Sequence, residues 1–241
     1  MAERRPHPSP GATALRRFVA VAMLLLLSGF AAVFIAFPGA RSALVRENGI
    51  IQMATAMVFL VAAIGAVVVI RTGRMVPKAY WVVPAVGFLG FAGEIRFATR
   101  FIGTPTFTVD GEDVDSFHDV FETAVGIAGD AGIRPLHIIL LAAAGVVAIG
   151  AVAARGSLTA VVLWLVRHRP IRITVAAVGV HFAGLALDLA NGGLAVTFIE
   201  ETTELAAAAL LAMAAAAIAE THNAVVSWRR FDLELPADRR R

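Results

Sequence analysis

The sequence predicts an all-α integral membrane protein: a six-helix transmembrane bundle with one amphipathic helix outside the membrane. Three observations carry this. Of 241 residues, 59% are hydrophobic and 16% charged, against about 45–50% and about 25% in a soluble domain. Six stretches are apolar over roughly the 20 residues needed to cross a hydrocarbon core of about 30 Å. The Arg and Lys residues gather in the tails and in alternate connections, on one side of the bundle, which fixes an orientation. The mean hydropathy of +0.78 agrees.

The first stretch, 15–37, follows Arg16-Arg17. Pro38-Gly39-Ala40 resembles a cleavage region, but a signal-peptide core has about 7–15 apolar residues. The longer run here predicts a retained helix behind a disordered tail over 1–14. The second span, 50–70, opens after Glu47-Asn48. The third, 80–98, holds Glu94 and Arg96 near its end.

An outer loop follows over 99–132. In TFTVDGEDVD the pair Asp110-Gly111 predicts a tight turn. Ser116 followed by Asp119 is a capping-box-like start. Phe117, Val120, Phe121, Ala124 and Val125 then recur at helical spacing, which predicts the amphipathic helix. His118 and Glu122 lie on another of its faces.

The fourth span is 133–154. Leu158 to Val166 is apolar but too short to cross, so it reads as an interfacial piece anchored by Trp164. The fifth and sixth spans are 172–190 and 194–219, and a basic tail covers 221–241. Sixteen of the 21 basic residues fall on the side that holds both termini. That predicts cytoplasmic termini in the cell membrane. The remaining five, Arg41, Arg46, Arg96, Arg100 and Arg134, fall outside or at the outer boundary.

Several function classes are excluded. The absence of cysteine rules out disulfides, thiolate nucleophiles and Cys-ligated zinc. No Lys lies within a span, so no retinal Schiff base forms. DGEDVD departs from the spacing of an EF-hand loop. The pI near 10.4 follows from basic loops that face anionic lipid, so no nucleic-acid partner is expected.

The polar groups inside the spans carry the functional reading. An ionisable residue at the bilayer centre costs about 2.5–3.5 kcal/mol on insertion scales. Such groups pair, protonate or face a wet cavity. Glu94 lies near the outer end of the third span, and His137 one turn into the fourth. His181 and Asp188, seven residues apart, share a face of the fifth. Glu200, Glu201 and Glu204 occupy the outer half of the sixth. There Thr197, Glu201, Glu204 and Ala208 form one stripe, whereas Glu200 is offset by about 100° and is expected to face the interface.

One pocket open to the outside would gather these groups. Glu94, Glu201 and Glu204 are the candidate catalytic carboxylates. His118, His137, His181 and Asp188 are the candidate ligands of a divalent metal such as zinc. Such an ion could activate water against an ester or amide of a lipid-like substrate. The same groups would serve as a relay or cation site in a transporter of small solutes. Structural roles stand beside these. Glu94 can be an interfacial charge, Asp188 can cap the turn Asn191-Gly192-Gly193, and all can be interhelical glue in a non-catalytic subunit. No HExxH spacing is present.

Two resemblances arise at these residues. ENGIIQMATAMVFLVAA (47–63), GFLGFAGEIRFATRFIGTP (87–105) and DSFHDV (115–120) resemble a family of uncharacterised bacterial multi-pass membrane proteins. That family has an Asn-Gly opening one helix, a Gly-Glu near the end of the next, and an extracytoplasmic His. It departs at Ile95-Arg96-Phe97, where the family has a second acid and a Ser-Trp-Gly run. The resemblance implies a fold and no activity. The wider pattern is similar to alkaline ceramidase and adiponectin-receptor-like hydrolases, which hold zinc with three His and an Asp. The paired His of that pattern is absent here.

Overall fold

The computed structural model describes residues 10–46, 49–72, 76–95, 107–109, 112–114, 123, 167–188 and 193–233. The expected fourth span and the 158–166 piece lie outside them. Of the amphipathic segment, only Thr123 is described, in helical conformation. The helices are α1 (Pro10–Ala36), α2 (Arg41–Val45), α3 (Ile50–Thr72), α4 (Val82–Glu94), α5 (Arg169–Asp188) and α6 (Leu194–Leu233). Short 3₁₀ turns, Pro38–Ala40 and Lys78–Trp81, precede α2 and α4. Strands β1 (Phe107–Val109) and β2 (Glu112–Val114) pair antiparallel, with Val109 opposite Glu112. That register leaves two residues, Asp110 and Gly111, for the turn between them.

Four helices, α1, α3, α5 and α6, are long and apolar enough to cross a membrane. This marks the chain as a membrane protein. The third expected span is a 13-residue α4, about 20 Å long, entered through the 3₁₀ turn. It stops at Glu94 because Ile95 leaves helical geometry, at φ −96° and ψ 4°. By contrast α6 continues well past residue 219. Its 40 residues contain neither Gly nor Pro, and the Ala-rich stretch favours helix throughout.

Contacts at the helix ends set the directions. The α1 start meets the far part of α6 through Arg16 and Glu220, while Phe34 near its end stacks on Phe198, ring centroids 4.1 Å apart. α1 and α6 are therefore antiparallel. Tyr80, before α4, meets His168, before α5, and Glu94 at the end of α4 lies near His181 in α5. α4 and α5 therefore run in the same direction, and their connection begins at one end of the bundle and finishes at the other.

The turn into α6 needs a glycine. Gly193 has φ +72°, a left-handed conformation that costs a residue with a Cβ but not glycine. Its carbonyl accepts from the N–H groups of Val196, at 2.9 Å, and Thr197, at 3.2 Å.

α6 is the centre of the bundle. Leu205, Ala207, Ala208, Leu211, Ala214 and Ile218 along it are fully buried. Its alanines let neighbouring backbones approach closely, as membrane helices require. One core cluster joins Leu205 to Leu44, Val45 and Ile51. A larger one joins Leu211 and Ile218 to Phe59, Ile70, Tyr80, Val83 and Ile171. Buried Thr55 and Thr174 donate to the carbonyls of Ile51 and Pro170, one turn back, so no hydroxyl is stranded in an apolar layer.

α1 is the opposite case. No residue of its apolar window is buried, and Phe18, Leu24, Leu25 and Ile35 stand exposed. In hydrocarbon such a surface carries no hydration cost. Its C-terminal carbonyls are met by Arg41, whose Nε donates to Phe34 O at 2.7 Å with the guanidinium 5.2 Å from the Phe34 ring centroid. A cation there also complements the helix dipole.

Candidate functional site

Glu94, His181 and Glu204 come from three different helices and converge inside the bundle. One ligand-type atom of each lies within 4.8 Å of the other two. Glu94 and Glu204 are each 6% exposed, while the His181 side chain is 27% exposed. The His181 Nδ1 that faces Glu204 is itself buried, so the exposed part of the imidazole lies away from the carboxylates.

Local features of the sequence place each group. Glu94 is the last residue of α4, so its side chain leaves a helix end. His181 Nδ1 stands 3.7 Å from Glu204 Oε1. Its ring meets Phe59 of α3 edge to face, centroids 5.9 Å apart and planes at 88°. One turn beyond His181, Gly184 lets α5 lie directly against the acid. A Cβ there would come within 2.9 Å of Glu204 Cγ and 3.6 Å of the Glu200 carbonyl.

Two further carboxylates flank the three. Glu201 precedes Glu204 by three residues on the same face and is 8% exposed. Glu200 corrects an expectation: at 6% exposure it is as buried as Glu204 and does not face the interface. The 100° offset is from Glu201; Glu200 stands four residues before Glu204, only about 40° from it around the helix, and so turns inward with it. Glu94 lies within electrostatic reach of Glu200, Glu201 and Glu204. Glu200, Glu201, Glu204 and His181 also have partners beyond those described.

Of the seven residues singled out from the sequence, the structure brings Glu94, His181 and Glu204 together, with Glu201 adjacent. Asp188 ends α5, two turns beyond His181, and nothing is described of its side chain. His118 and His137 lie outside the described residues. A further buried acid, Glu220, lies at the far end of the apolar span of α6 and accepts from Arg16 and Arg169. The available signal was a single acid at the inner boundary of the last span, on an otherwise Arg-rich side.

The chemistry of the three groups suits a divalent ion. Oxygen and nitrogen ligands stand about 2.0–2.2 Å from zinc, which places ligand atoms about 3–3.6 Å from one another. Shifts of about an ångström would close the observed arrangement to that size. An imidazole among carboxylates favours transition metals over magnesium or calcium. A groove of about 420 Å³ is lined by Leu27, Val180, Phe198, Thr202, Thr203 and Ala206 among others, and none of the site's acids lines it.

No protein-family model, curated protein or solved structure matches this chain. The functional reading therefore rests on the geometry of these residues.

Proposed function

We propose that the protein is a metal-dependent membrane hydrolase, acting on an ester or amide of a lipid-like substrate at Glu94, His181 and Glu204. The observation that carries the reading is the mutual approach of these three ligand types within 4.8 Å, on helices that place them inside a bundle fit to cross a membrane. Three protein ligands leave a coordination position open, as catalytic zinc sites do and four-ligand structural sites do not. A divalent ion held there supplies Lewis acidity toward water and toward an acyl carbonyl.

The chain's own residues then have separate tasks. Glu94, His181 and Glu204 hold the ion. Glu201, buried beside them, accepts a proton from water as the water oxygen bonds to the acyl carbon, and returns it to the departing alcohol or amine as the acyl bond breaks. A substrate reaching this depth comes from the bilayer or its surface, which argues for a lipid-like molecule.

Protein extracted gently and assayed for metal tests this directly. One divalent transition metal per chain is expected in the wild type, and Glu204→Gln should lose it together with hydrolysis of a panel of ester and amide lipids. Absence of a stoichiometric metal sinks the reading. Metal uptake into proteoliposomes that Glu204→Gln abolishes, without hydrolysis of any lipid, would replace it with a cation transporter.

A further inference from the structure

At the opposite end of the bundle a second polar cluster is built differently. Arg16 of α1 and Arg169 of α5 both donate through Nη1 to a single oxygen, Glu220 Oε2 of α6, at 3.2 and 3.4 Å. The Glu220 side chain is 8% exposed, whereas Arg169 is 48% exposed and Arg16 24%. The carboxylate is therefore the buried base of the cluster and the guanidinia are its outer face.

Three consequences follow. One carboxylate balances one of the two guanidinia, so the cluster keeps a net positive charge. Each guanidinium has five N–H donors in a planar fork, and only Nη1 of each is engaged with Glu220. The remaining donors are fixed in position by a buried group instead of waving in solvent, which lowers the ordering cost of binding. Arg17 and Arg172, both exposed, follow within three residues on the same two helices. Among the described side chains, Glu220 is the only acid at this end.

The same level of the bundle has the marks of a membrane interface. Arg71 stacks over the Trp81 ring at 5.5 Å, and Tyr80 meets His168 edge to face. Trp, Tyr and Arg gather at the headgroup layer. A phosphodiester at that layer pairs with forked guanidinia through charge-assisted, two-pronged hydrogen bonds, and the cluster's net positive charge favours a headgroup with no cation of its own.

We propose that Arg16 and Arg169, positioned by Glu220, form a binding site for the headgroup of an anionic phospholipid. The lipid would bridge α1 to α5 and fasten the otherwise thinly held first helix to the bundle. This does not depend on the hydrolase reading, whose residues lie about 24 Å away along α6 at 1.5 Å per residue.

The test uses the full chain in nanodiscs of phosphatidylcholine, with and without phosphatidylglycerol. Retained lipid is counted by native mass spectrometry, and the Tm shift is taken against each variant's own phosphatidylcholine baseline. Wild type should retain phosphatidylglycerol selectively and gain several degrees. Arg169→Gln should lose about tenfold in retention, and Arg169→Lys should fall between, because it keeps the charge and loses the fork. Glu220→Gln is the decisive variant. It adds a positive charge but frees the guanidinia, so a positioned site binds less lipid and bulk attraction binds more. Stronger retention in Glu220→Gln, equal retention in Arg169→Gln and wild type, or no preference over phosphatidylcholine would overturn the proposal. So would millimolar inorganic phosphate reproducing the whole Tm shift, since that identifies a soluble anion as the ligand.

Discussion

α6 buries carboxylates near both ends of its apolar span, Leu194–Thr221, and the two ends handle them differently. At the basic end one acid, Glu220, meets two guanidinia from two other helices. At the other end Glu200, Glu201 and Glu204 lie buried with Glu94, and the described counter-group is one imidazole. Both arrangements take ionised groups out of water, which costs several kcal/mol per ion unless it is offset. A guanidinium offsets it permanently. Clustered carboxylates with an imidazole can hold a removable counter-charge, a proton or a metal ion. Under the proposed function, the first arrangement is a joint that holds the bundle and the second a site that holds an exchangeable ion. The metal reading requires that Glu94 and Glu204 each keep one oxygen for the ion, whatever else in the chain touches their neighbours.

The largest expected effect is on metal affinity. Glu204→Gln should weaken binding beyond the roughly 10–100-fold that losing a supporting partner costs, whereas Glu220→Gln should leave it within about twofold. Titration calorimetry with Zn²⁺ on the two variants decides this. Equal losses would mean that the ends of α6 are coupled and that the contrast is false.

Stability without metal should move the other way. Glu220→Ala strands two guanidinia, and breaking a buried pair costs about 3–5 kcal/mol when the survivor stays buried. Arg169 and Arg16 reach solvent, so about 1–3 kcal/mol is expected here. Glu204→Gln keeps the side chain's shape and one acceptor oxygen for its partners while removing one of four buried carboxylates, so the metal-free protein should stay within about 1 kcal/mol of wild type. Thermal unfolding in one detergent with chelator present measures both. A strongly destabilised Glu204→Gln would show that Glu204 is a structural partner first.

Much of this architecture is readable in the sequence, and the exceptions have physical causes. The apolar runs locate α1, α3, α5 and α6, because crossing hydrocarbon leaves little freedom in length and composition. Asp110-Gly111 marks the hairpin turn because Asp-Gly is among the dipeptides that two-residue β-turns favour. Depth along a helix is also legible, since rise per residue is fixed, and it placed Glu94, His181 and Glu204 at one level. Facing is less so. Glu200 reads outward from its angle to Glu201 alone, although it stands only about 40° from Glu204. The centrality of α6 is a property of the assembled bundle. Glu220 escaped because an apolar window closes at the first charged residue, and its Arg partners lie 204 and 51 positions away. No local pattern encodes that pairing.

Gly184 gives an intermediate effect that tests whether the acidic end is a positioned site. In Gly184→Ala the new methyl meets Glu204 Cγ at 2.9 Å, so the carboxylate or α5 must shift. Crowding of this kind costs about 1–3 kcal/mol, and the displaced ligand should lose about tenfold in metal affinity. Unchanged affinity, measured by the same titration, would mean that Glu204 does not need its present position to bind.

The smallest expected effect is at Phe59, which touches the site only through the His181 ring. Its ring packs edge to face with the imidazole and is itself 3% exposed in the larger core cluster. Such an aromatic contact is worth about 0.5–1.5 kcal/mol beyond the area it buries. Phe59→Leu keeps most of the apolar volume and removes the ring edge, so the imidazole loses one of the surfaces that orients it. If that orientation matters to the ion, affinity should fall about two- to tenfold, while Glu220 and its guanidinia hold the far end unchanged. The lipid-retention assay serves as the internal control, because the ion pairs of Glu220 run to Arg16 and Arg169 and not to Phe59. A variant that loses metal and lipid together has loosened the whole bundle. One that loses metal alone places Phe59 as a positioning residue for His181.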